Sequence, residues 1–298
     1  MTLRQSLHEA TETLTLNGIE EAHLEAELLL RYVLGIGRAE LHIRLEDTLS
    51  SKQAQELNQL IQRRLSHEPT AYITGHKEFF GLDFYVSYST LIPRPETEML
   101  VEKALELASN CSSMTIADVG TGCGAIAIAL AVHLAQAEVY AIDISAPALE
   151  VAALNSERHD VASRVHLLQG NLLQSLTDSV DLILANLPYV SDQGMRRLSD
   201  EIRLFEPKLA LSGGPDGLQQ ISQLLAQAKD RLRSKGAILL EISPEQAAAV
   251  VDLVSRHFPE AAVKVIPDLS GRERVVVIET GVKPEKWLLR IDGTEAWQ

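Results

Sequence analysis

Apolar residues recur at intervals of three and four through the first part of the chain, the spacing that lines one face of a helix. They predict three helices, over about residues 2–17, 20–34 and 50–65. Gly18 and Gly35 end the first two, and Ser50 is the expected N-cap of the third. The pattern therefore predicts an all-helical domain over residues 1–70, whose polar outer faces suit either recognition of a partner or packing against the rest of the chain.

Residues 71–92 are predicted to form a β-hairpin linker between two domains. Phe79–Val86 is rich in aromatic residues, and Gly81 suits a tight hairpin turn. The next stretch, Leu91–Glu98, carries two prolines and leads into a helix predicted from about Thr97 to Ala108. Two functions suit this stretch, a rigid linker or an active-site wall. The wall would consist of Arg94, Pro95 and Glu96.

From residue 115 onward, short apolar runs alternate with helical patterns. Strands are predicted near residues 115–119, 138–142, 164–168, 181–185, 237–241 and 274–279. Helices are predicted near residues 124–134, 147–158, 217–233 and 244–257, with a loop or shorter element over 191–216. This alternation is typical of an α/β fold with a doubly wound, Rossmann-like sheet, here over residues 93–281. Residues 282–298 form a tail without a pattern.

Composition restricts the classes of function. At 298 residues and 46% hydrophobic content, the chain can form one large or two ordinary domains. Its two cysteines, Cys111 and Cys123, lack metal-like or disulfide-like spacing, which favours a reducing compartment. With no signal peptide and no apolar run long enough to span a membrane, a cytoplasmic location is expected. The net charge of −14 argues against sequence-independent nucleic-acid binding and favours a protein or small-molecule substrate.

The first strand of the sheet ends in a glycine-rich loop. Its glycines allow a sharp turn and a close approach of a ligand to the backbone. The predicted cofactor-binding residues of this loop are Gly120, Thr121, Gly122, Cys123 and Gly124. The second strand ends at Asp143, whose carboxylate suits the two hydroxyls of a ribose. After the third strand, Asn171 and Leu172 are predicted to meet the edge and the face of an adenine.

The fourth strand ends in the turn Asn186–Tyr189. Pro188 cannot donate a ladder hydrogen bond, so the strand stops and leaves the Asn186 side chain and the Leu187 carbonyl available. Two acceptors side by side match both hydrogens of an –NH2 group, and the ring of Tyr189 can pack on the flat group that bears it. The alternative is an ordinary strand-ending turn, since Asn and Pro are turn residues.

Two cofactors suit the glycine loop. Gly120, Gly122 and Ala125 also satisfy the loose dinucleotide fingerprint, so the glycines alone do not discriminate. The preceding Asp118, the adenine-level Asn171 and the amine-holding turn favour S-adenosyl-L-methionine, whereas a dehydrogenase would need a proton donor or a site for a nicotinamide ring. We therefore predict a class I methyltransferase sheet that methylates an amide or an exocyclic amine.

Five blocks of the sequence, in the expected order, closely resemble those of the HemK-type N5-glutamine methyltransferases that modify peptide chain release factors. They are Leu91–Glu98, Asp118–Gly124, Asn186–Tyr189, Phe205–Leu211 and Asp268–Arg274. The resemblance runs from Tyr72 to Ile278, and the helical N-terminal domain has the size and place expected of this family. Five ordered blocks are highly specific, although any one of them alone would not be.

The resemblance implies that the turn Asn186–Tyr189 holds the glutamine of a Gly-Gly-Gln loop. It implies that Gly120–Gly124, Asp143, Asn171, Leu172 and Asn186 hold S-adenosyl-L-methionine, and that the N-terminal helices help to dock the release factor. The family usually has proline where this chain has Leu187. Because the site uses the carbonyl of that residue and Pro188 still constrains its backbone, we expect activity to survive.

Three alternatives stay open on the sequence. One is a glutamine methyltransferase that acts on a ribosomal protein. Another is an N6-adenine or N4-cytosine nucleic-acid methyltransferase, against which the acidic charge weighs and which would have to flip a base. The third is a cofactor-binding interaction protein without catalysis, in which the helical domain is the working part.

Overall fold

The computed structural model describes residues 1–109 and 111–281, so the predicted tail, residues 282–298, lies outside the described residues. The helices are α1 (Leu3–Leu16), α2 (Ala22–Leu34), α3 (Arg38–Ile43), α4 (Ser51–Leu65), α5 (Thr70–Thr74), α6 (Glu98–Ala108), α7 (Ala125–His133), α8 (Ala146–Arg158), α9 (Asp200–Phe205), α10 (Gln219–Ala228) and α11 (Ala247–His257). The strands are β1 (His76–Phe79), β2 (Leu82–Tyr85), β3 (Met114–Val119), β4 (Ala137–Asp143), β5 (Val165–Gln169), β6 (Val180–Ala185), β7 (Leu232–Glu241), β8 (Ala262–Pro267) and β9 (Glu273–Glu279). Short 3-10 helices cover Pro95–Thr97, Gly194–Arg197, Lys208–Ala210 and Pro244–Gln246. None of the described helices has the length and apolar character needed to cross a membrane.

The chain forms two compact units. The first contains residues 1–77, 86–88 and 198–206, and the second contains the described residues of 78–85, 89–197 and 207–281. The first unit therefore combines the N-terminal helices with two short segments from later in the sequence. The domain boundaries expected from the sequence stay a prediction.

Two helices of the first unit, α1 and α4, begin with a reciprocal capping box. The Thr2 hydroxyl accepts a hydrogen bond from the Gln5 backbone N–H at 3.2 Å, and the Gln5 side chain accepts one from the Thr2 N–H at 2.9 Å. Ser50 and Gln53 repeat this arrangement in α4, which confirms the predicted N-cap. The apolar faces of the helices then share one core, which includes Leu3, Leu14, Leu29, Leu30, Leu41 and Leu57.

The helical period in the sequence does not predict α3, α5 and α9, because helices of five or six residues are too short for the period to repeat. α9 belongs to the first unit although it follows strands of the sheet in sequence. Its Glu201 accepts a hydrogen bond of 2.9 Å from Arg64 of α4, and Arg64 also forms an ion pair with Glu25 of α2. A nearly buried arginine thus joins three helices of this unit.

The predicted hairpin is formed by β1 and β2, which are joined by Phe80 and Gly81. Both turn residues have positive φ, +53° and +73°, as a two-residue type I′ turn requires. The buried rings of Phe79 and Phe84 pack edge to face with their centroids 6.1 Å apart. The turn expected at Gly81 is therefore confirmed.

The second unit is built on a seven-stranded sheet with the order β5-β4-β3-β6-β7-β9-β8. The first five strands of this order are parallel, and β9 lies antiparallel between β7 and β8. The chain runs outward from β3 to β5 and then returns to the other side of β3 at β6, which is the predicted doubly wound arrangement. The strand order reverses between β3 and β6, and ligands of such sheets bind at the carboxyl ends of the strands there.

One strand of the sheet was not predicted, and one predicted helix ends at the wrong place. The six predicted strands lack β8, an edge strand that is partly exposed along most of its length. The helix predicted over 217–233 is wrong at its end, since α10 stops at Ala228 and β7 begins at Leu232. The first residues of β7 after Leu232 are polar and exposed, so in sequence they resemble the outer face of a helix.

Candidate active site

A cleft of about 1150 Å³, part of it open to solvent, lies at the carboxyl ends of β3, β4, β5 and β6. Most of the predicted site residues line it: Arg94, Gly120, Thr121, Gly122, Cys123, Asp143, Asn171, Leu172, Asn186, Leu187 and Pro188. Four others do not: Pro95, Glu96, Gly124 and Tyr189. Pro95 and Glu96 are exposed, so of the expected wall only Arg94 reaches the cleft.

The glycine loop turns through left-handed backbone conformations that only glycine adopts easily. Gly120, Gly122 and Gly124 have φ values of +77°, +57° and +85°. A Cβ on Gly124 would lie 2.8 Å from Cδ1 of Ile128, so this glycine packs against the body of the unit and away from the cleft. A Cβ on Gly122 would meet nothing within 4 Å, which leaves the backbone open to a ligand.

Asp143 braces the glycine loop from the end of β4. Its Oδ2 accepts a hydrogen bond from the Gly122 N–H at 2.9 Å, and its Oδ1 accepts one from the Ser145 N–H at 2.9 Å. Each carboxylate oxygen keeps a further lone pair, and the partly exposed side chain lines the cleft. The side chain can therefore hold the loop and still accept hydrogen bonds from a diol.

Asp118 at the end of β3 is fully buried beneath the loop. Its Oδ2 accepts hydrogen bonds from the Thr121 hydroxyl at 2.6 Å and the Ala127 N–H at 3.1 Å, while Oδ1 has no hydrogen-bond partner among the described residues. Burial raises the pKa of this carboxyl to about 7, although both hydrogen bonds act in the opposite direction. Asp118 therefore holds the loop by hydrogen bonds, while its burial disfavours the charged form of its carboxyl group.

One side chain that the sequence did not single out, that of Asn155, holds the loop in place. Asn155 of α8 donates to the Cys123 carbonyl at 2.8 Å, and it both donates to and accepts from the backbone of Tyr85. It thereby joins the loop to the hairpin strand β2. Burial raises the pKa of the Cys123 thiol to about 12, so the thiol stays protonated and packs as a small apolar group.

The turn after β6 is linked to a buried polar network. Asn186 donates from Nδ2 to the Thr97 hydroxyl oxygen at 3.0 Å, and the Thr97 hydroxyl donates to Oε2 of Glu241 at 2.6 Å. Tyr189 donates from its hydroxyl to Oε1 of the same carboxylate at 3.4 Å. Burial raises the pKa of Glu241, and burial likewise raises the pKa of Tyr189 to about 12. Thr97 and Glu241 are site residues that no pattern in the sequence predicted.

The turn also touches the glycine loop and is braced from behind. Cδ2 of Leu187 lies 3.3 Å from the position that a Cβ of Gly120 would take, so the turn and the loop are in van der Waals contact. Gln246 donates from Nε2 to the carbonyls of Tyr189 and Gly217, both at 3.1 Å. These contacts leave the Asn186–Tyr189 backbone little freedom beside the cleft.

The turn between β8 and β9 is fixed by Asp268. Its Oδ1 accepts hydrogen bonds from the Ser270 hydroxyl at 2.6 Å and from the Ser270 and Arg272 backbone N–H groups at 2.9 and 3.0 Å. These bonds, led by that of Ser270, lower the pKa of Asp268 to about 2. Asp268 also accepts from Arg274, whose positive charge acts on Glu241. The turn thus places a cation beside the buried network.

The arrangement is suited to binding a ligand in the cleft and to orienting its polar groups. It offers an amide oxygen and a backbone carbonyl at the tip of one strand, beside a glycine loop and a carboxylate at the tips of two others. No group of histidine, cysteine, aspartate or glutamate side chains in the described part of the chain could hold a metal ion.

Residues 5–75 match the family model of the PrmC N-terminal domain, and residues 95–203 match that of the methyltransferase small domain. The chain is 45% identical over 275 residues to the release factor glutamine methyltransferase of Moorella thermoacetica, over 92% of this chain and 97% of that protein. It is 35% identical to that of Rhodopirellula baltica, over 93% of this chain and 96% of the relative. Among solved structures, a methyltransferase from Pyrococcus furiosus has a TM-score of 0.52 at 19% identity, over 78% of this chain and 100% of the other. This last likeness supports the fold alone.

Proposed function

The chain belongs to the family of release factor glutamine methyltransferases, and we propose that it methylates the glutamine of the Gly-Gly-Gln motif in peptide chain release factors. The methyl group comes from S-adenosyl-L-methionine, and the acceptor is the side-chain amide nitrogen, N5. The release factor is accordingly the protein partner, and the reaction belongs to translation termination in the cytoplasm.

One observation carries this proposal for the site: the turn Asn186–Tyr189 lies against the glycine loop. The contact between Leu187 and Gly120 brings two hydrogen-bond acceptors for an –NH2 group next to the part of the cleft that suits a cofactor. A turn that merely ended a strand would have no need to line the same cleft as Asp143 and Asn171.

The residues at the cleft fit S-adenosyl-L-methionine. Bound there, the cofactor supplies a methyl group attached to a positively charged sulfur. The open backbone at Gly122 can receive it closely, the Asp143 carboxylate can accept from ribose hydroxyls, and Asn171 and Leu172 can meet the adenine. Gly120, Thr121 and Cys123 complete the loop, with Gly124 needed for its packing.

The turn Asn186–Tyr189 would hold the substrate amide and activate its nitrogen. An amide nitrogen is a poor nucleophile because its lone pair is delocalised into the carbonyl. Acceptors at Oδ1 of Asn186 and at the Leu187 carbonyl would bind both N–H groups and raise the electron density on nitrogen. As the nitrogen gains positive charge, both acceptors bind its hydrogens more strongly, which is the differential stabilisation that catalysis requires. The nitrogen returns to neutrality by releasing one proton to water.

The helical N-terminal domain, predicted over residues 1–70, is proposed to help dock the release factor. Residues 5–75 match a domain family of their own, which supports a role separate from methyl transfer. In this division, residues 71–92 form the linker and residues 93–281 form the methyltransferase domain.

Peptide mapping after incubation with labelled S-adenosyl-L-methionine tests the substrate. We expect label on the glutamine of the Gly-Gly-Gln motif when a purified release factor is offered, and none on ribosomal protein or DNA. Label on a ribosomal protein or on DNA alone would contradict the proposal, and cofactor binding without any transfer would indicate an interaction protein. Asn186→Ala should abolish transfer to the release factor while cofactor affinity stays close to that of the wild type.

A further inference from the structure

We propose that Thr97 and Glu241 are positioning residues that decide which end of the Asn186 side-chain amide faces the substrate. This inference rests on the proposed function, because it concerns how Asn186 presents its oxygen to the glutamine –NH2 group. It deepens that function by naming two residues that are hydrogen-bonded to the turn Asn186–Tyr189, here called the substrate turn.

The direction of the hydrogen bonds follows from the chemistry of the carboxylate. An ionised Glu241 has only acceptors, so the single hydrogen of the Thr97 hydroxyl is donated to it, at 2.6 Å. The Thr97 oxygen can then only accept from its other neighbour, which must be the Nδ2 end of Asn186, at 3.0 Å. Oδ1 is thereby left for the cleft, where an acceptor is required.

The fold holds these three residues in this order. β6 and β7 are neighbours with Ala185 opposite Leu240, so Asn186 and Glu241 follow at adjacent strand ends. Thr97 comes from the 3-10 helix before α6. Thr97 is 4% exposed and Glu241 2% exposed, so water cannot exchange the roles of donor and acceptor between them.

A proton on Glu241 would reverse the chain of hydrogen bonds. The acid could donate to Thr97, Thr97 could donate to Oδ1 of Asn186, and the amide would turn its NH2 group toward the substrate NH2 group. Arg274 on β9 favours the ionised form of Glu241, and Glu96 opposes it. Tyr189 donates to the other carboxylate oxygen, and burial raises the pKa of Glu241. Turnover should therefore fall as the pH drops through a value above the usual range of a glutamate.

Thr97→Val removes the hydroxyl and keeps the shape, and Thr97→Ser restores the hydroxyl. The matched control is Thr70→Val, because Thr70 is also buried and also donates to a glutamate, Glu25, at 2.7 Å. We expect Thr97→Val to lower kcat by about 100-fold, the effect of losing one preorganised polar contact. Thr97→Ser and Thr70→Val should stay within about threefold of the wild type. Cofactor affinity, measured by calorimetry, should not change in any of the three.

Two readouts separate orientation of the amide from a general structural role. The wild-type enzyme should bind a release factor more tightly than it binds a release factor in which the Gly-Gly-Gln glutamine is changed to glutamate. Thr97→Val should reduce the ratio of these two affinities by about tenfold, since an Asn186 amide that is free to rotate can turn its NH2 group to a carboxylate. In Glu241→Gln, the loss of kcat at low pH should disappear because the amide does not titrate.

The outcomes distinguish the two proposals. A wild type that does not methylate release factors would overturn the proposed function. If the wild type is active, the inference on Thr97 and Glu241 is overturned by a Thr97→Val enzyme with normal kcat. It is equally overturned by one that loses kcat and cofactor affinity together while the ratio of the two release factor affinities stays unchanged.

Discussion

A Cβ atom on Gly217 would lie 2.1 Å from the carbonyl oxygen of Tyr189. The loop that contains Gly217 therefore reaches the substrate turn with its backbone alone, and φ at this glycine is +76°. Gln246 donates from Nε2 to the carbonyls of both Tyr189 and Gly217. This contact fixes the position of the aromatic residue in the turn Asn186–Tyr189.

Gly217→Ala should push the turn out of place. The left-handed φ alone costs about 1–2 kcal/mol for a residue with a Cβ, and the clash with Tyr189 should add about 1–3 kcal/mol. Gly18→Ala is the control, since Gly18 has nearly the same φ, +78°, and nothing within 4 Å of its Cβ position. Urea unfolding should show the larger loss for Gly217→Ala, and methyl transfer per folded enzyme should fall only there. Equal losses in both variants would mean that the turn accommodates the extra carbon.

Leu187→Pro tests the residue at which this chain departs from its family. Because Pro188 already constrains the backbone and the carbonyl is kept, methyl transfer should stay within about threefold of the wild type. Leu187→Ala is the partner variant: it removes a buried side chain that touches the glycine loop and should lower the free energy of unfolding by about 2–5 kcal/mol. A greatly raised activity of Leu187→Pro would show that leucine compromises the turn.

Asp118→Asn should change how stability depends on pH. The folded protein holds the Asp118 proton up to a pKa of about 7, whereas the unfolded chain releases it near the ordinary value of 3.8. Between these values the folded state binds more protons, so this carboxyl lowers the free energy of unfolding as the pH rises, by about 4 kcal/mol in all. The stability that this carboxyl contributes in its protonated form is fully present below pH 3.8 and is lost as the pH rises to about 7. Urea midpoints at pH 5 and pH 8 should therefore differ less in Asp118→Asn than in the wild type, and an unchanged difference would contradict the assignment.

Arg64→Ala should strongly destabilise the first unit. The Arg64 side chain is 5% exposed and pairs with Glu25 and Glu201, so its removal leaves two partly buried carboxylates without their cation and should cost about 3–5 kcal/mol. The control is Arg4→Ala, whose pair with Glu46 is 61% and 76% exposed and should matter by less than about 1 kcal/mol. Thermal unfolding of both variants checks the difference, and similar melting temperatures would count against a role for the buried pair.

The elements that are long enough to show a hydrophobic pattern could be predicted from the sequence. The helices α1, α2 and α4 and the buried strands β3, β4, β6 and β9 follow from their own apolar patterns, within a few residues. β8 could not, because an edge strand that is half exposed has neither a clean alternation nor a continuous apolar run. The short helix α9 is likewise too brief to carry a period.

The cleft residues at the ends of β3, β4, β5 and β6 could be predicted because each directly follows a strand or belongs to the glycine loop. Thr97 and Glu241 could not, since they are 144 positions apart and nothing in either neighbourhood indicates the other. Only the register of β6 with β7 brings Glu241 beside Asn186. The sequence offered one signal, which is that Glu241 is an acidic residue at the end of a buried strand. In the sheet, this strand neighbours the one that leads into the substrate turn.

The membership of residues 86–88 and 198–206 in the first unit matters for protein engineering. A fragment that stops at residue 77 would lack both segments and would separate Arg64 from Glu201. A chimera that exchanges this unit should therefore transplant all three pieces together, because a single splice point would leave the transplanted unit incomplete.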